Sequence, residues 1–309
     1  MSTCQLPDPP DHLRQQLRGV RGLLLDLDGV SVLKGRPIPG AIEAIAELDR
    51  RAIPYRIVTN TSLVSRRTLS RQGASIGLHI PPERITSALS ATAAWTRRTY
   101  PGQPLFVITS ADGRTEFDGQ HLIDAAEADA PGARAAAVVI GDSADELTYP
   151  NLNRAFRLVL GGARLVGMHR NPWWLTPAGP TLDSGAFVRG LEYATEQRAL
   201  ILGKPARAFF VEAATELLDE IAARDGGSAR PSRRALTMVG DDVWTDVLAG
   251  QRVGLRGIFV LTGKHGPAEL ERAAARRRGG GRPNAVAASL AEVVAALDYL
   301  PRIKADAGG

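Results

Sequence analysis

The sequence predicts an α/β protein with a Rossmann-like parallel-sheet core and an inserted, smaller α/β cap domain. Two observations predict this class. Apolar runs of strand length alternate with stretches of helical periodicity, which is typical of parallel sheets with crossover helices. A second alternation of the same kind interrupts the first, which resumes later in the chain. We therefore expect the core to comprise residues 1–88 and 182–309, and the cap to comprise residues 89–181.

The first apolar run, residues 22–30, organises the rest of the chain because it contains Asp26 and Asp28 followed by Gly29. Residues i and i+2 of a strand share a face, so both carboxylates lean toward one spot at its carboxyl end. Ligands bind at that end in open α/β sheets. Neighbouring carboxylates repel each other unless a cation or a proton lies between them, and Mg²⁺ prefers oxygen ligands. An Asp-Gly turn without function is the alternative interpretation.

A second strand is predicted at 55–60, after a helix at 41–51 whose apolar residues have helical spacing. The order strand, helix, strand predicts a right-handed βαβ unit. Thr59 and Asn60 stand at the end of this strand, and a helix is predicted at 63–73. The two residues therefore either meet a ligand or cap the following helix.

The inserted segment repeats the alternation of strands and helices. Its predicted strands are 105–108, 136–140 and 165–168, and an amphipathic helix is predicted at 149–160. This set of elements is enough for a separate α/β domain.

The core pattern resumes after the insertion. Lys204 lies between two predicted helices, and Asp241 and Asp242 follow another apolar run, with Asp246 further on. We expect these side chains to gather at the carboxyl edge of the sheet, where the acids of the first strand lie. The predicted elements of this part are helices at 185–197 and 208–223 and strands at 235–239, 257–262 and 285–287.

The composition limits the partners and the compartment. Cys4 is the only cysteine, so no intrachain disulfide is expected and a reducing compartment is the simplest home. No apolar run approaches the roughly 18 residues that span a bilayer, so we expect a cytoplasmic protein without a membrane partner. The Arg/Gly-rich segment 272–282 has no interleaved aromatic residues and is typical of a flexible linker. We therefore expect no nucleic-acid partner, and the sequence assigns no role to this segment or to the loop 224–234.

Acids, a hydroxyl and an amine at these strand ends indicate phosphoryl transfer through a carboxylate nucleophile. Asp26 would attack phosphorus and form an acyl phosphate, which divides one difficult displacement into two easier ones. Asp28 would protonate the leaving oxygen and then take a proton from the hydrolytic water. Mg²⁺ would screen the nucleophile from the anionic phosphate, with Asp241 as a second carboxylate ligand.

The remaining polar residues would hold the phosphate. Thr59 and Asn60, together with backbone N–H groups, would bind its oxygens. Lys204 would place a compact positive charge beside Asp26 and the phosphate, where an ammonium suits a crowded centre better than a planar guanidinium. Only four of the 38 basic residues are lysines, so a lysine at this point is informative.

These segments resemble the four motifs of the haloacid-dehalogenase-like phosphatase superfamily. The matching motifs are Asp26-Leu27-Asp28-Gly29-Val30, Val58-Thr59-Asn60, Gly203-Lys204-Pro205, and Gly240-Asp241-Asp242 with Asp246. The insertion resembles the large α/β cap of the nitrophenyl-phosphatase-like branch. Within that branch, residues 152–157 and 190–195 are similar to the phospholysine/phosphohistidine/inorganic-pyrophosphate phosphatase group. The resemblance implies a Mg²⁺-dependent hydrolase that removes phosphate from a small phosphorylated substrate.

The resemblance also implies roles for the acids. Asp26 and Asp241 would bind Mg²⁺ through their side chains, and Asp28 would bind it through its backbone carbonyl. Asp242 and Asp246 would lie outside the direct ligands and hold metal-bound water.

The implied cap closes over the site and selects the substrate through a loop at residues 169–174. Trp173 would stack on the leaving group or wall it in, and Arg170 or His169 would meet its polar end. Asn171 is a further candidate for substrate binding. Alternatively, Trp173 and Trp174 pack the cap or a dimer face. Because caps of this branch often mediate homodimers, a homodimer through the cap is also possible.

Other classes of function stay open. A phosphotransferase or phosphomutase would use the same chemistry with an acceptor other than water. A receiver-like signalling protein also gathers acids, a hydroxyl and a lysine around Mg²⁺, but it carries the phosphorylated Asp on a later strand than its paired acids. The complete residue set argues against a binding protein without catalysis.

Overall fold

Strands and helices alternate along most of the chain, as the apolar periodicity predicts. The computed structural model describes residues 6–143, 145–176, 179–227 and 229–298, with residues 175 and 176 described by their backbone. The strands are β1 Gly22–Asp26, β2 Val32–Leu33, β3 Arg36–Pro37, β4 Tyr55–Thr59, β5 Ile85–Ser87, β6 Leu105–Ile108, β7 Ala137–Ile140, β8 Arg164–Gly167, β9 Trp173–Thr176, β10 Gly179–Leu182, β11 Leu200–Ile201, β12 Leu236–Gly240, β13 Arg256–Val260 and β14 Ala285–Ala287.

The helices follow the same alternation. They are α1 Asp11–Leu17, α2 Ala41–Arg50, α3 Arg66–Ser75, α4 Ala88–Thr99, α5 Ala111–Arg114, α6 Ala125–Asp129, α7 Tyr149–Leu160, α8 Ser184–Thr195, α9 Arg207–Arg224, α10 Leu248–Arg252, α11 Pro267–Ala275 and α12 Leu290–Ala295. A π-helical turn, Val243–Val247, precedes α10. Among the helices described, none has both the length and the apolar composition needed to cross a bilayer.

Side-chain caps explain where several helices begin. The Ser87 hydroxyl accepts a hydrogen bond from the Ser90 N–H, and the Ser90 hydroxyl accepts one from the Ser87 N–H, so the two form a capping box at the start of α4. The Thr148 hydroxyl accepts from a backbone N–H in the first turn of α7. Asp183 does the same at the start of α8. These three helices therefore start where a short polar side chain satisfies a backbone donor.

Packing divides the chain into two units. Unit 1 comprises the described residues of 1–58, 73–80 and 210–309. Its main sheet holds strands in the order β14-β13-β12-β1-β4, and every neighbouring pair in that order is parallel. The consecutive residues Leu23, Leu24 and Leu25 are all buried, which explains the unbroken apolar run of a strand that is covered on both faces.

Unit 2 comprises the described residues of 59–72 and 81–209. Its four-stranded sheet has the order β11-β8-β7-β6, again with parallel neighbours. Leu105 and Val107 of β6 belong to one buried apolar cluster, whereas Phe106 and Ile108 belong to another. Because successive strand residues point to opposite faces, this sheet is covered on both sides. Strands β9 and β10 form a separate antiparallel hairpin.

These observations confirm the predicted α/β class with a parallel-sheet core and an α/β cap. The packing units place residues 59–72, 81–88 and 182–209 together with the inserted segment. The domain boundaries at 88/89 and 181/182 stay a prediction.

Candidate active site

Three buried carboxylates meet at the carboxyl ends of two neighbouring strands in unit 1. Asp26 is the last residue of β1, and Asp241 directly follows β12. Since β1 and β12 are parallel and level, with Leu25 opposite Val239, their ends lie side by side. One carboxylate oxygen from each of Asp26, Asp241 and Asp246 lies within 4.8 Å of the other two. The structure therefore brings Asp26, Asp241 and Asp246 together, and the sequence predicts that these acids gather at this edge of the sheet.

Glycines leave the space that these carboxylates fill. A Cβ atom on Gly263 would lie 1.9 Å from Asp241 Oδ2, and one on Gly29 would lie 2.3 Å from the same oxygen. Gly29 also has a φ of +79°, which favours glycine on its own account. A Cβ on Gly240 would lie 2.3 Å from the Asp246 Cβ. The pocket around the acids is thus shaped by backbone, and a single methyl group would displace Asp241.

The segment after β13 completes this pocket, and the sequence prediction missed it. The Lys264 N–H donates to Asp241 Oδ2 at 2.8 Å. The Thr262 hydroxyl donates to the Gly29 carbonyl at 2.5 Å, which ties this segment to the turn after β1. One signal was present in the sequence, because Lys264 is another of the four lysines.

Asp242 has a different environment from its neighbour Asp241. Its Oδ1 accepts from the N–H groups of Trp244 and Thr245, at 2.8 and 2.9 Å, and so caps the π-helical turn. Its Oδ2 lies 2.8 Å from Lys264 Nζ. Burial would raise the pKa of the Asp242 carboxyl, but the Lys264 ammonium and the backbone donors outweigh burial and lower it to about 2. Asp242 is therefore an ionised helix cap.

Asp28 is exposed and lies outside the buried carboxylate cluster. It occupies the tight turn that follows β1, where the Gly29 N–H donates to the Val32 carbonyl at 2.7 Å. The paired acids of the first motif thus lie in two environments, one buried and one in contact with solvent.

The donor set fits a hard divalent cation. Carboxylate oxygens are the ligands that Mg²⁺ and Ca²⁺ prefer. Three of them approach one another inside a pocket of backbone, and like charges gathered in this way favour an ion between them. Asp26, Asp241 and Asp246 are thus the residues that could hold a metal.

Unit 2 joins the second and third motifs directly. The Lys204 N–H donates to Asn60 Oδ1 at 2.8 Å, and Asn60 Nδ2 donates to the Lys204 carbonyl at 3.0 Å. A Cβ on Gly203 would lie 2.8 Å from Asn60 Oδ1, so glycine is needed before the lysine. Lys204 is only 4% exposed. The Thr59 hydroxyl accepts from the Thr61 N–H at 3.1 Å.

Several residues of the predicted substrate loop, residues 169–174, form contacts within unit 2. The Arg170 guanidinium forms an ion pair with Glu192. Asn171 donates a side-chain hydrogen bond to Asp183. The loop prediction is wrong for Trp173 and Trp174, which begin β9 and pair with β10. Their side chains are 57% and 41% exposed.

Comparisons with known proteins agree with this geometry. The family profile described as haloacid dehalogenase-like hydrolase matches residues 23–123, and one described as HAD-hydrolase-like matches residues 201–293. Haloacid dehalogenase-like hydrolase domain-containing protein 2 of Mus musculus is 33% identical over 255 residues, which cover 82% of this chain and 89% of that protein.

Two relatives carry names that state an activity. Phospholysine phosphohistidine inorganic pyrophosphate phosphatase of Homo sapiens is 31% identical over 261 residues, covering 82% of this chain and 88% of that protein. The structure of the p-nitrophenyl phosphatase from Archaeoglobus fulgidus superposes with a TM-score of 0.76 at 26% identity, covering 94% of this chain and 100% of that one. This chain is therefore an enzyme of the haloacid dehalogenase-like hydrolase family, in the branch that contains the p-nitrophenyl phosphatases.

Proposed function

We propose that this enzyme is a Mg²⁺-dependent phosphatase that hydrolyses a small phosphorylated metabolite through an aspartyl-phosphate intermediate. The observation that carries the proposal is the convergence of Asp26, Asp241 and Asp246 at the ends of β1 and β12. The named activities of the two phosphatase relatives support the same reaction.

Asp26 is the proposed nucleophile. The Leu27 N–H donates to its Oδ1 at 2.7 Å, which orients the carboxylate. In the first step an Asp26 oxygen bonds to phosphorus, the bond to the leaving oxygen breaks, and Asp28 donates a proton to that oxygen. In the second step Asp28 takes a proton from water as the water oxygen attacks phosphorus. The Asp26–phosphate bond then breaks, releasing inorganic phosphate. The exposure of Asp28 suits this exchange of protons with water.

Asp26 and Asp241 would hold Mg²⁺ through their side chains, with the Asp28 carbonyl as the further ligand that the family resemblance implies. The resemblance implies a place outside the direct ligands for Asp246, but we propose it as a third side-chain ligand because its carboxylate lies in the same cluster. When bound, Mg²⁺ supplies positive charge that offsets the repulsion between a carboxylate nucleophile and an anionic phosphate. Asp242 keeps its role as a helix cap and positions the segment that carries Asp246.

Thr59 and Lys204 are proposed to bind the phosphate through a hydroxyl and an ammonium. Asn60 has its amide engaged with the backbone of Lys204, so we assign it to the placement of that lysine. The family resemblance, through the order of the four motifs, supports a role for these residues in the same reaction as Asp26.

The inserted cap, residues 89–181, is proposed to select the substrate. Its exposed Trp173 would contact an apolar part of the leaving group. A cytoplasmic location and a homodimer through the cap stay predictions from the sequence.

The experiment is a phosphate-release assay with p-nitrophenyl phosphate, sugar phosphates, nucleotides and inorganic pyrophosphate, with Mg²⁺ and with EDTA. We expect turnover that needs Mg²⁺ and falls on the order of 10⁴-fold or more in Asp26→Asn. Asp118→Asn is the matched control, since that carboxylate is exposed on unit 2. Trapping of the acyl phosphate on Asp26, followed by mass spectrometry, tests the intermediate. Full activity in EDTA or in Asp26→Asn would contradict the mechanism.

A phosphotransferase or phosphomutase would share the intermediate and is distinguished by its acceptor. Supplying alcohols or sugars as acceptors in the same assay should leave the yield of inorganic phosphate unchanged for a hydrolase. A receiver-like protein would instead keep the aspartyl phosphate after the substrate is removed.

A further inference from the structure

A second buried polar cluster lies in unit 2, and the proposed chemistry does not use it. At its centre is His169, whose side chain is buried with only 2% of the residue exposed. His169 Nε2 lies 2.9 Å from the Ser62 hydroxyl oxygen. His169 Nδ1 accepts a hydrogen bond from the Asn171 N–H at 3.3 Å. Both ring nitrogens are therefore engaged in hydrogen bonds inside the unit, and the ring is buried.

The hydrogen bonds assign the protonation state of this ring. Because Nδ1 accepts from a backbone N–H, the proton of the neutral imidazole is on Nε2, and Nε2–H donates to Ser62. Burial lowers the pKa of His169 to about 4, and the negative charge of Asp142 opposes this only in part. The ring is thus uncharged in the neutral pH range.

This cluster is not a nucleophilic triad, although it contains a serine, a histidine and an aspartate. Asp183 Oδ1 lies 3.6 Å from Nε2, the nitrogen that also faces Ser62. In a triad the acid and the serine contact opposite ring nitrogens, so that one orients the ring and the other loses its proton. The shared nitrogen and the burial point to a structural role for these hydrogen bonds.

Ser62 connects the ring to the loop that follows β4. Its hydroxyl oxygen also accepts from the Asp142 N–H at 2.9 Å, and its carbonyl accepts from the Thr109 hydroxyl at 2.9 Å. Ser62 is two residues beyond Asn60, the residue that clamps the backbone of Lys204. The loop that follows Thr59 is therefore held by side chains and backbone from four other segments of unit 2.

The other side of the ring faces its own loop. The Asn171 N–H turns back onto Nδ1, and Arg170 between them reaches Glu192 of α8. A Cβ on Gly185 would lie 2.3 Å from the Asn171 carbonyl, so this loop also packs closely on the start of α8. The ring of His169 thus lies between two loops, one leading to Thr59 and one leading to β9.

We propose that His169 is a positioning residue that, as a neutral imidazole, joins the loop of Thr59–Ser62 to the loop of Arg170–Asn171 and so sets the phosphate-binding residues. The inference rests on the proposed function, because phosphate binding by Thr59 and Lys204 is part of it.

The test compares His169→Leu, His169→Gln and Ser62→Ala, with His121→Leu as the control because His121 is exposed on the same unit. The probes are p-nitrophenyl phosphate as substrate and inorganic phosphate as inhibitor, both with saturating Mg²⁺. We expect His169→Leu and Ser62→Ala each to raise KM and the inhibition constant about tenfold, the effect of one or two lost buried hydrogen bonds, with a smaller change in kcat. Gln should recover most of the loss, because its amide N–H replaces Nε2–H.

The double variant His169→Leu with Ser62→Ala should lose less than the sum of the two single losses, because both substitutions remove the shared hydrogen bond between His169 and Ser62. Additive losses, or a His169→Leu enzyme that binds phosphate as well as His121→Leu does, would overturn the proposal. If His169→Leu does not fold, KM and the inhibition constant of Ser62→Ala and His169→Gln are compared with those of His121→Leu instead.

The nitrogen NMR shifts of the ring give a readout that a general loss of stability does not move. We expect a neutral Nε2–H tautomer from pH 8 to pH 5, and a charged ring or the Nδ1–H tautomer at pH 6 would refute the assignment. Failure of the proposed function looks different, since then the unaltered enzyme would release no phosphate or Asp26→Asn would remain active.

Discussion

The two units each contain a buried polar centre, and the centres are built in opposite ways. In unit 1, Asp26, Asp241 and Asp246 crowd three carboxylates into a space that glycines leave open. In unit 2, His169 and Ser62 form a centre whose ring is uncharged and whose ring nitrogens both have partners within the unit. Gathered negative charge favours a bound cation, whereas a neutral hydrogen-bonded network stabilises one arrangement of the chain. One centre therefore fits a bound ion, and the other holds loops in place.

The largest effect should come from filling the space around Asp241. Gly263→Ala places a methyl group 1.9 Å from the present position of Asp241 Oδ2. We expect Mg²⁺ affinity, measured by calorimetry, to fall about 10–100-fold, and kcat/KM to fall with it. Gly266→Ala is a matched control, since a Cβ at that position meets nothing within 4 Å. Equal Mg²⁺ binding by the two variants would show that the position of Asp241 does not matter for binding the ion.

Acid should weaken the neutral centre. The folded-state pKa of His169 is lowered from 6.5 to about 4 by burial, so the unfolded chain binds a proton first as the pH falls. The stabilisation by the neutral ring is full above pH 6.5 and is lost between pH 6.5 and pH 4, at a cost of up to about 3 kcal/mol in the free energy of unfolding.

Urea unfolding at pH 7, 5.5 and 4.5 measures the free energy of unfolding of the unaltered protein and of His169→Gln, which has no titrating ring. The comparison between variants is needed because burial raises the pKa values of Asp142 and Asp183, which acts in the opposite direction. Parallel pH profiles for the two proteins would show that folding does not lower the pKa of His169.

Variants of Asp242 and Asp246 should distinguish a helix cap from a metal ligand. Asp246→Asn removes a charge from the carboxylate cluster, so we expect Mg²⁺ affinity to fall about tenfold. Asp242→Asn keeps a capping oxygen but loses the ion pair with Lys264, so we expect the free energy of unfolding to fall by about 1–2 kcal/mol. Its Mg²⁺ affinity should change less than that of Asp246→Asn. The reverse order of affinities would place Asp242 among the metal ligands.

The smallest effect should concern substrate choice. Trp173 and Trp174 point to opposite faces of the hairpin, because successive strand residues alternate. If Trp173 contacts the leaving group, Trp173→Ala should lower kcat/KM about fivefold for p-nitrophenyl phosphate and leave inorganic pyrophosphate nearly unchanged. Trp174→Ala serves as the paired control. Equal losses for both substrates in Trp173→Ala would indicate packing alone.

Much of the fold could be predicted because strand periodicity is a local property. The buried strand at Gly22–Asp26 and the parallel strands of unit 2 follow from apolar runs of the right length. Helix α1 was not predicted, because its surroundings are polar and Pro-rich. The spacing of its buried residues Leu13 and Leu17 was the available signal. The hairpin of β9 and β10 could not be predicted, because Trp173 and Trp174 follow a loop sequence and their partner strand begins with Gly179 and Pro180, residues that strands disfavour.

Part of the candidate site could also be predicted from the sequence. Asp26 and Asp241 could be paired from the sequence, because the ends of adjacent parallel strands meet. The hydrogen bond from the Lys264 N–H to Asp241 could not be predicted, because almost any residue offers a backbone N–H and the sequence does not mark which one is used. Asp242 and Asp246 look alike in the sequence, and only the local turn makes one a helix cap and the other a member of the carboxylate cluster.

The order of strands in unit 1 has a consequence for biosynthesis. β1 lies between β4, which is made soon after it, and β12, which is made only after the inserted segment has left the ribosome. Until then the nascent chain carries an apolar strand with one edge unpaired, the kind of edge that aggregates or recruits chaperones. The strands of the unit 2 sheet are consecutive apart from the hairpin, so that sheet can form first during translation.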